Sequence, residues 1–365
     1  MTQMERVTPS TVATELSPSA RARLRRARPD STRRAYRGDL RRFLDWTTAG
    51  RVLAGDAMPP RSTPTGRISE EQLGAAFATL LHAFPQVELL VTEYVNTLAN
   101  TGRAPSTVER ALAAICTAYR SAGAGRLATE PARAILTAYK REQAAGGRRT
   151  RKAAPVTVAV LRAMVATLDP QSTAAVRDRA LLLLGFAMGA RRSELAGLDV
   201  GDLTETPAGL EVLVRVSKTD KESQGRLVAV VYGSNIDTCP VRALQAWLAL
   251  LAEHGHTEGP LFLRVDRWGQ LGRAPSGRGS LDGRITGQAV ALVVRRAALA
   301  AGLDPEAVWA GHSLRRGFAN EGRRAGHDQV RIGRHGGWVD GSRALAGYFE
   351  DSDRWTENPL IGIGL

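Results

Sequence analysis

Residues 309–320, WAGHSLRRGFAN, place one histidine and two arginines at the start of a helical pattern that is otherwise small and apolar. His312 and Arg315 stand three residues apart, so a helical turn directs both side chains to the same face. A metal site, a structural ion pair and a clamp on an anion all fit this spacing. The rest of the chain decides among them.

Basic charge is concentrated in the first half of the 365-residue chain, whose net charge is +14. Residues 1–152 hold 25 Lys and Arg against 13 Asp and Glu, whereas residues 153–365 hold 25 against 23. This uneven division indicates a polyanionic partner for the first half, and DNA or RNA fits it better than a membrane surface. Only four of the basic residues are lysines, so a lysine carries more weight here than an arginine.

The sequence carries no sign of secretion or of a membrane. No apolar run approaches the ~18 residues of a transmembrane helix, and the N-terminus lacks the apolar region of a signal peptide. We therefore expect a cytoplasmic protein without a membrane partner. Cys116 and Cys239 stand alone, which predicts reduced core thiols.

The first half is predicted to be helical. Ser31 or Thr32 is expected to cap a helix within 21–48, and helical periodicity recurs near 69–83, 86–100, 105–122 and 129–143. Ten arginines against two aspartates between residues 21 and 42 favour a DNA-binding face that includes Arg33 and Arg37.

Composition divides the chain into four parts. Residues 1–20 lack periodicity and are predicted to be a disordered tail, followed by the helical domain at 21–143, in which 50–68 forms a loop. Residues 144–154 combine glycine with a basic cluster, as expected of an interdomain linker on a phosphate backbone. Residues 155–365 form the second domain.

The second domain is predicted to be mainly α with a small β-hairpin. Alternating valines flank a polar turn in 211–232, which is typical of a hairpin. Helical patterns lie on both sides of it, near 156–167, 173–189, 239–254, 286–302, 313–325 and 341–349.

Several kinds of active site are excluded by missing motifs. The sequence has no H-E-x-x-H, no acidic cluster, no Walker A motif and no G-x-S-x-G elbow. We therefore predict no metal and no cofactor. A phosphate clamp remains, because arginine can bond two phosphate oxygens at once and keeps its charge.

Four further residues could serve such a clamp, although each also has a structural interpretation. Arg191, in GARRSELAGL (189–198), could be a surface partner of Glu194. Lys218, in SKTDKES (217–223), could be a solvated turn residue. Trp338, in RHGGWVDGS (334–342), and Tyr348, in ALAGYFED (344–351), could be core residues.

Taken in order, these segments resemble the tyrosine recombinases of the phage integrase family. The resemblance assigns six catalytic residues: Arg191, Lys218 with Lys221 in reserve, His312, Arg315, Trp338 in place of a second histidine, and Tyr348 as the nucleophile. DSTRRAYRGDLRRFLDW (30–46) and APSTVERALAAI (104–115) resemble the family's core-type DNA-binding domain, which adds Arg110 to the DNA-binding residues. Trp338 precedes Tyr348 by ten residues, one more than usual, so His335 competes for the donor role.

The resemblance implies a site-specific recombinase that cuts and rejoins double-stranded DNA through a 3′-phosphotyrosyl intermediate. It also implies a homotetramer on two recombination sites, with accessory DNA-bending or directionality factors as further partners. A type IB topoisomerase and a catalytically silent DNA-binding regulator are the alternatives. The separate helical domain favours recombination over the first, and the complete set of six residues argues against the second.

Overall fold

A computed structural model of the chain describes residues 29–48, 69–148, 151–215, 225–272 and 280–356, with a few residues near either end. Most of the predicted tail at 1–20, the loop at 50–68 and the hairpin tip with Lys218 and Lys221 lie outside the described residues. The chain divides into two compact units, Met1–Thr150 and Arg151–Leu365.

The first unit is built from helices: α1 (Asp30–Thr48), α2 (Glu70–Ala83), α3 (Val87–Asn100), α4 (Pro105–Ser121) and α5 (Glu130–Ala145). Ser69 and Gln72 form a capping box at the start of α2, where each side chain accepts a hydrogen bond from the other's backbone N–H. An aromatic cluster of Phe43, Trp46 and Tyr94 lies in the core of the first unit.

The start of α1 differs from the prediction. The helix begins at Asp30, so Ser31 and Thr32 lie inside its first turn and neither is the cap. The carbonyl of Pro29 instead accepts hydrogen bonds from the backbone N–H groups of Thr32 and Arg33, both at 3.0 Å. Proline cannot donate a backbone hydrogen bond, so a chain that enters a helix through it loses nothing at the first turn.

The second unit combines helices with one small sheet. Its helices are α6 (Val158–Ala166), α7 (Thr173–Ala187), α8 (Arg192–Gly197), α9 (Pro240–Glu253), α10 (Gly287–Ala300), α11 (Gly311–Arg324), α12 (Gln329–Gly336) and α13 (Arg343–Thr356). The strands are β1 (Leu203–Thr206), β2 (Gly209–Val214) and β3 (Arg226–Val231), antiparallel in the order β1-β2-β3. The predicted mainly helical fold with a small hairpin is confirmed, and β1 is an addition to it.

Helix α7 is the central element of the second unit. Its four consecutive leucines at 181–184 are all buried, as expected of a helix with neighbours on every side. It packs against α9 and α11 and ends at Ala187, so the carbonyls of Ala187 and Gly189 lie where α11 and α12 approach it. The carbonyl of Gly189 accepts a hydrogen bond from Arg315, and that of Ala187 is bonded to His335.

No single helix among the described residues is long and apolar enough to cross a membrane. Helices α2 and α3 pass that test only as a pair, and they meet at an angle of 115°.

Candidate active site

Arg315 is the most deeply buried arginine of the site. It lies in the first half of α11 and is only 2 % exposed. Its Nη1 donates to the carbonyl oxygens of Gly336, at 2.6 Å, and Gly189, and its guanidinium lies 3.5 Å from the ring centroid of Trp338. Its buried Nη2 has no hydrogen-bond partner among the described residues. This donor would gain a partner from an acceptor that a ligand supplies.

Arg191 is held beside it by a buried carboxylate. It immediately precedes α8, and its Nη1 pairs with Glu194 at 2.6 Å while its backbone N–H donates to the same carboxylate at 3.0 Å. Its Nη2 also donates to the carbonyl of Gly337 at 3.4 Å. Glu194, whose side chain is 1 % exposed, therefore fixes the direction of Arg191.

Arg226 is a third cation of this cluster. It is the first residue of β3, its Nη2 lies 3.7 Å from Glu194, and its Nη1 donates to the carbonyl of His335. A side chain at Gly337 would crowd the guanidinium of Arg226, because its Cβ would stand 2.6 Å from Nε. Gly337 also has φ of +69°, a conformation that favours glycine. Both facts explain why a glycine precedes Trp338.

The electrostatics of the cluster favour an anion. Arg191 and Arg226 both pair with the carboxylate of Glu194, and burial together with the charge of Arg191 lowers the pKa of Arg315 to about 9. Burial likewise lowers the pKa of Arg226. Burying a cation raises the free energy of the fold unless nearby negative charge balances it. A phosphate bound here would supply such charge and stabilise the cluster.

Tyr348 lies next to this cluster on α13. Its ring meets the ring of Trp338 edge-on, with centroids 6.1 Å apart, and the guanidinium of Arg316 lies 5.8 Å from its centroid. Tyr348 also lines an open cleft that it shares with His312. His312 and Arg315 thus differ in environment, since the imidazole is exposed in the cleft and the guanidinium is buried beneath Trp338.

His335 connects the helices α7 and α11 around the site. Its Nε2 lies 2.8 Å from the carbonyl oxygen of Ala187, and its ring stacks on Phe318 with centroids 5.1 Å apart. Since a carbonyl only accepts, this Nε2 carries the proton, and burial lowers the pKa of the imidazole. His335 thus has a structural role that explains its position near Trp338.

The structure therefore brings Arg191, Arg315, Trp338 and Tyr348 together, with His312 facing the cleft. Lys218 and Lys221 lie outside the described residues. Sequence reasoning missed Arg226 and considered Glu194 only as a surface partner. The Arg-x-x-Glu spacing was a usable signal for Glu194, whereas Arg226 is one arginine among many.

The candidate DNA-binding arginines of the first unit are paired with carboxylates. Arg33 donates to both oxygens of Glu70 at 3.0 Å, and Arg37 donates to one of them at 2.9 Å. Burial acts to raise the pKa of Glu70, but these hydrogen bonds outweigh it and the pKa lies below its ordinary value. A phosphate would have to compete with Glu70 for both arginines.

Arg110 is oriented in a similar way. Its Nε and Nη2 donate to Asp39 at 2.8 Å and 3.2 Å, and these bonds raise the pKa of Arg110. Asp39 is 1 % exposed, whereas the side chain of Arg110 is 42 % exposed. The buried carboxylate therefore fixes an arginine that still reaches the surface.

The fold places a tyrosine beside buried arginines, an arrangement that suits the binding of a phosphoryl group next to a nucleophile. The sequence pattern described as the phage integrase family matches residues 156–354. An integrase/recombinase xerD homolog of Selenomonas ruminantium is 32% identical over 323 residues, which cover 87% of this chain and 81% of that protein. The chain belongs to the phage integrase family, as its resemblance implied, and is a site-specific recombinase of the tyrosine type.

One solved structure supports the same fold. The structure of a lambda integrase (75-356) dimer bound to a COC' core site covers 85% of this chain and 95% of its own, with a TM-score of 0.50 and 14% identity. XerH recombinase bound to palindromic difH substrate covers 79% of this chain and 78% of its own, with a TM-score of 0.48 and 15% identity.

Proposed function

We propose that Tyr348 attacks a phosphodiester of double-stranded DNA and forms a 3′-phosphotyrosyl link, releasing a 5′-hydroxyl. The observation that carries this proposal is the buried Nη2 of Arg315, a donor without a partner in the described part of the chain, in the same cluster as Tyr348. Covalent capture divides strand exchange into two easier steps. Because one phosphodiester replaces another, the bond energy is retained and no external energy source is needed.

Each remaining site residue has a role that follows from its position. Arg191 and Arg315 stabilise the charge on the non-bridging oxygens in the transition state, which is usually the largest single contribution to catalysis. His312 assists proton transfer or holds the phosphate from the cleft side, and the indole N–H of Trp338 donates to it. Lys218 is the general acid for the departing 5′-oxygen.

The rest of the chain is assigned to DNA binding and assembly. Residues 21–143 form the DNA-binding domain with Arg33, Arg37 and Arg110, and 155–365 the catalytic domain, after a tail at 1–20. Residues 144–154 are the linker, whose last residues are bonded to the catalytic domain. Four copies assemble on two recombination sites in the nucleoid, with DNA-bending or directionality factors as further partners.

A covalent trap tests this function. DNA from the flanks of the protein's own gene is first screened for protected segments. A duplex with the protected sequence is then nicked beside the cleavage position, so that the short 5′-hydroxyl fragment diffuses away after attack. We expect a covalent protein–DNA adduct that forms in EDTA. A protein that protects DNA but forms no adduct on any nicked duplex would be a silent regulator.

The first unit is expected to contribute most of the salt dependence of DNA binding. The double variant Arg33→Gln/Arg37→Gln should flatten the slope of log K against log salt by about 1.8, since each phosphate contact contributes about 0.9. Fluorescence anisotropy over a series of salt concentrations measures the slope.

Glu70→Gln is the informative companion variant, because it removes the carboxylate that holds both arginines. It should tighten DNA binding more than Glu109→Gln, which also removes one negative charge but from an exposed pair with Lys140. An unchanged slope in the arginine double variant would show that this face is only solvated. Equal gains in the two glutamine variants would show that Glu70 competes with no phosphate.

The C-terminal segment 357–365 is expected to act in assembly. Its described residues include Leu360, Ile361 and Ile363, each more than half exposed, whereas Leu365 lies outside the described residues. Large apolar side chains left in water can contribute to association when they dock on another copy, at roughly 1.5–3 kcal/mol each before ordering costs. Docking in cis on the same copy is the alternative.

Deleting 357–365 should therefore spare binding of a single site and weaken synapsis and recombination. A full-length Ile361→Ser/Ile363→Ser variant should behave in the same way without the loss of chain. Gel-shift and synapsis assays measure the two steps separately. Normal synapsis by both variants would exclude docking between copies, and loss of folding would indicate docking in cis.

A further inference from the structure

A cleft of about 460 Å³ beside Tyr348 collects basic side chains that have no role in the reaction proposed above. Lys152, Arg316 and Arg343 line it together with His312, and the described lining residues include no Asp or Glu. Its small lining residues, Ala153, Ala344 and Gly347, leave the space open. A cleft of this charge is suited to an anion.

Lys152 reaches the cleft from a segment that is bonded to helix α11 and to the loop before it. We name residues 152–156 the strap. The backbone N–H of Ala154 donates to the carbonyl of Val308 at 2.9 Å, and that of Val156 to Ser313 at 3.0 Å. Arg316, whose guanidinium also faces the ring of Tyr348, donates to the carbonyl of Ala153 at 2.8 Å. Three hydrogen bonds therefore hold the backbone of residues 153–156, which directly follow Lys152.

Close packing on α11 reinforces these bonds. A Cβ at Gly317 would stand 1.8 Å from the carbonyl oxygen of Val156, so the strap lies directly against the helix that carries His312 and Arg315. The position of Lys152 is consequently set by the same helix as the catalytic residues.

Arg343 approaches from the other wall of the cleft. It is exposed and lies at the start of α13, five residues before Tyr348. Gly347 stands one turn after Arg343, and a Cβ there would meet no atom within 4 Å. The missing side chain leaves room for a ligand between Arg343 and the nucleophile.

We propose that Lys152 and Arg343 form a second phosphate-binding site, which holds the phosphate adjacent to the scissile one on the cleaved strand. His312 and Tyr348, which act on the scissile phosphate, line one side of this cleft, whereas Arg191 and Arg315 do not line it. Lys152 and Arg343 are therefore placed for a phosphate next to the one held by the two arginines. The inference rests on the proposed role of Tyr348 as nucleophile. Holding two successive phosphates would fix the direction from which the scissile bond meets Tyr348.

Single methylphosphonates, which remove the charge of one phosphate, test this site. They are placed in the nicked duplex on either side of the scissile phosphate, and adduct formation is measured for wild type, Lys152→Gln and Arg343→Gln. At one of the two positions the methylphosphonate should slow wild type roughly tenfold, the scale of one lost charge-assisted hydrogen bond. Either variant should be slowed to a similar extent on unmodified DNA.

The decisive measurement combines the Lys152→Gln variant with the methylphosphonate duplex. On the duplex in which the contacted phosphate is uncharged, Lys152→Gln should form adduct almost as fast as wild type does on that duplex, because the charge that Lys152 contacts is already gone. On unmodified DNA, Lys152→Arg should retain most of the wild-type rate. Lys140→Gln, an exposed lysine in the first unit, should show the same methylphosphonate effect as wild type.

Independent, multiplying effects of Lys152→Gln and the methylphosphonate at both positions would overturn this inference while leaving the proposed function intact. Failure of wild type to form any adduct would instead contradict the proposed function. Thermal melting of the variants separates a contact with DNA from a folding defect, because Lys152 and Arg343 are both exposed and their variants should melt like wild type.

Discussion

Tyr348→Phe is expected to bind DNA like wild type and to form no covalent adduct with a nicked duplex. The substitution removes only the hydroxyl group and keeps the ring that packs against Trp338 and faces Arg316. The fold and the cleft should therefore persist while the nucleophile is lost. Denaturing gel electrophoresis of trapped complexes measures the adduct, and gel shift measures binding.

Tyr232→Phe is the matched control, because Tyr232 is the other tyrosine of the second unit and is 41 % exposed at the end of the sheet. It should form adduct at the wild-type rate. An adduct formed by Tyr348→Phe would assign the nucleophile to another residue, and mass spectrometry of the linked peptide would identify it.

Loss of either clamp arginine is expected to slow cleavage by several hundredfold with a much smaller change in DNA affinity. Removing one transition-state donor costs ~3–4 kcal/mol, which is about 200- to 1000-fold in rate. Arg191→Ala and Arg315→Lys are the informative variants. Lysine can still bond the carbonyls of Gly189 and Gly336 and so limits the structural damage, but it has no group in the position of Nη2.

Arg192→Ala controls for the loss of a neighbouring positive charge. Arg192 is exposed next to Arg191, and its contact to Gln288 is long, at 3.5 Å. Single-turnover cleavage and equilibrium binding should both stay close to wild type in this variant. If Arg191→Ala and Arg315→Lys lose affinity as much as rate, the two arginines are ground-state phosphate anchors rather than transition-state donors.

The sequence allowed the mainly helical fold and the hairpin to be predicted because their signals are local. Periodicity and capping residues mark most helices within a few residues, and the alternating valines mark β2 and β3. Strand β1, Leu203–Thr206, has only one apolar residue in four, so no alternation distinguishes it from a loop. Its place depends on pairing with β2, which is a tertiary effect.

The composition of the site was harder to predict, because burial comes from distant segments. The Arg191–Glu194 spacing is visible in the sequence, yet it suits an exposed pair equally well. Its burial depends on Arg226 from the sheet and Gly337 from the loop after α12. In the same way, helical spacing places His312 and Arg315 on one face of a helix. It does not show that Trp338 covers Arg315 while His312 stays exposed.

The arginines of α1 illustrate the same limit on the first unit. Their position on the polar face of the helix follows from periodicity. Their partner, Glu70, lies 37 residues after Arg33, beyond the reach of any helical rule. An arginine-rich composition also makes each arginine less informative, which is why Arg226 gave no signal of its own.

The strap has a consequence for engineering. A chimera that joins the first unit of one recombinase to the second unit of another needs a crossover point between the two units. Here the backbone from Lys152 to Val156 is part of the catalytic unit, since it is bonded to Val308, Ser313 and Arg316 and packed on Gly317. A fusion joined before Arg151 keeps this segment with its own helix, whereas one joined after Val156 places a foreign backbone against the residues that carry the chemistry.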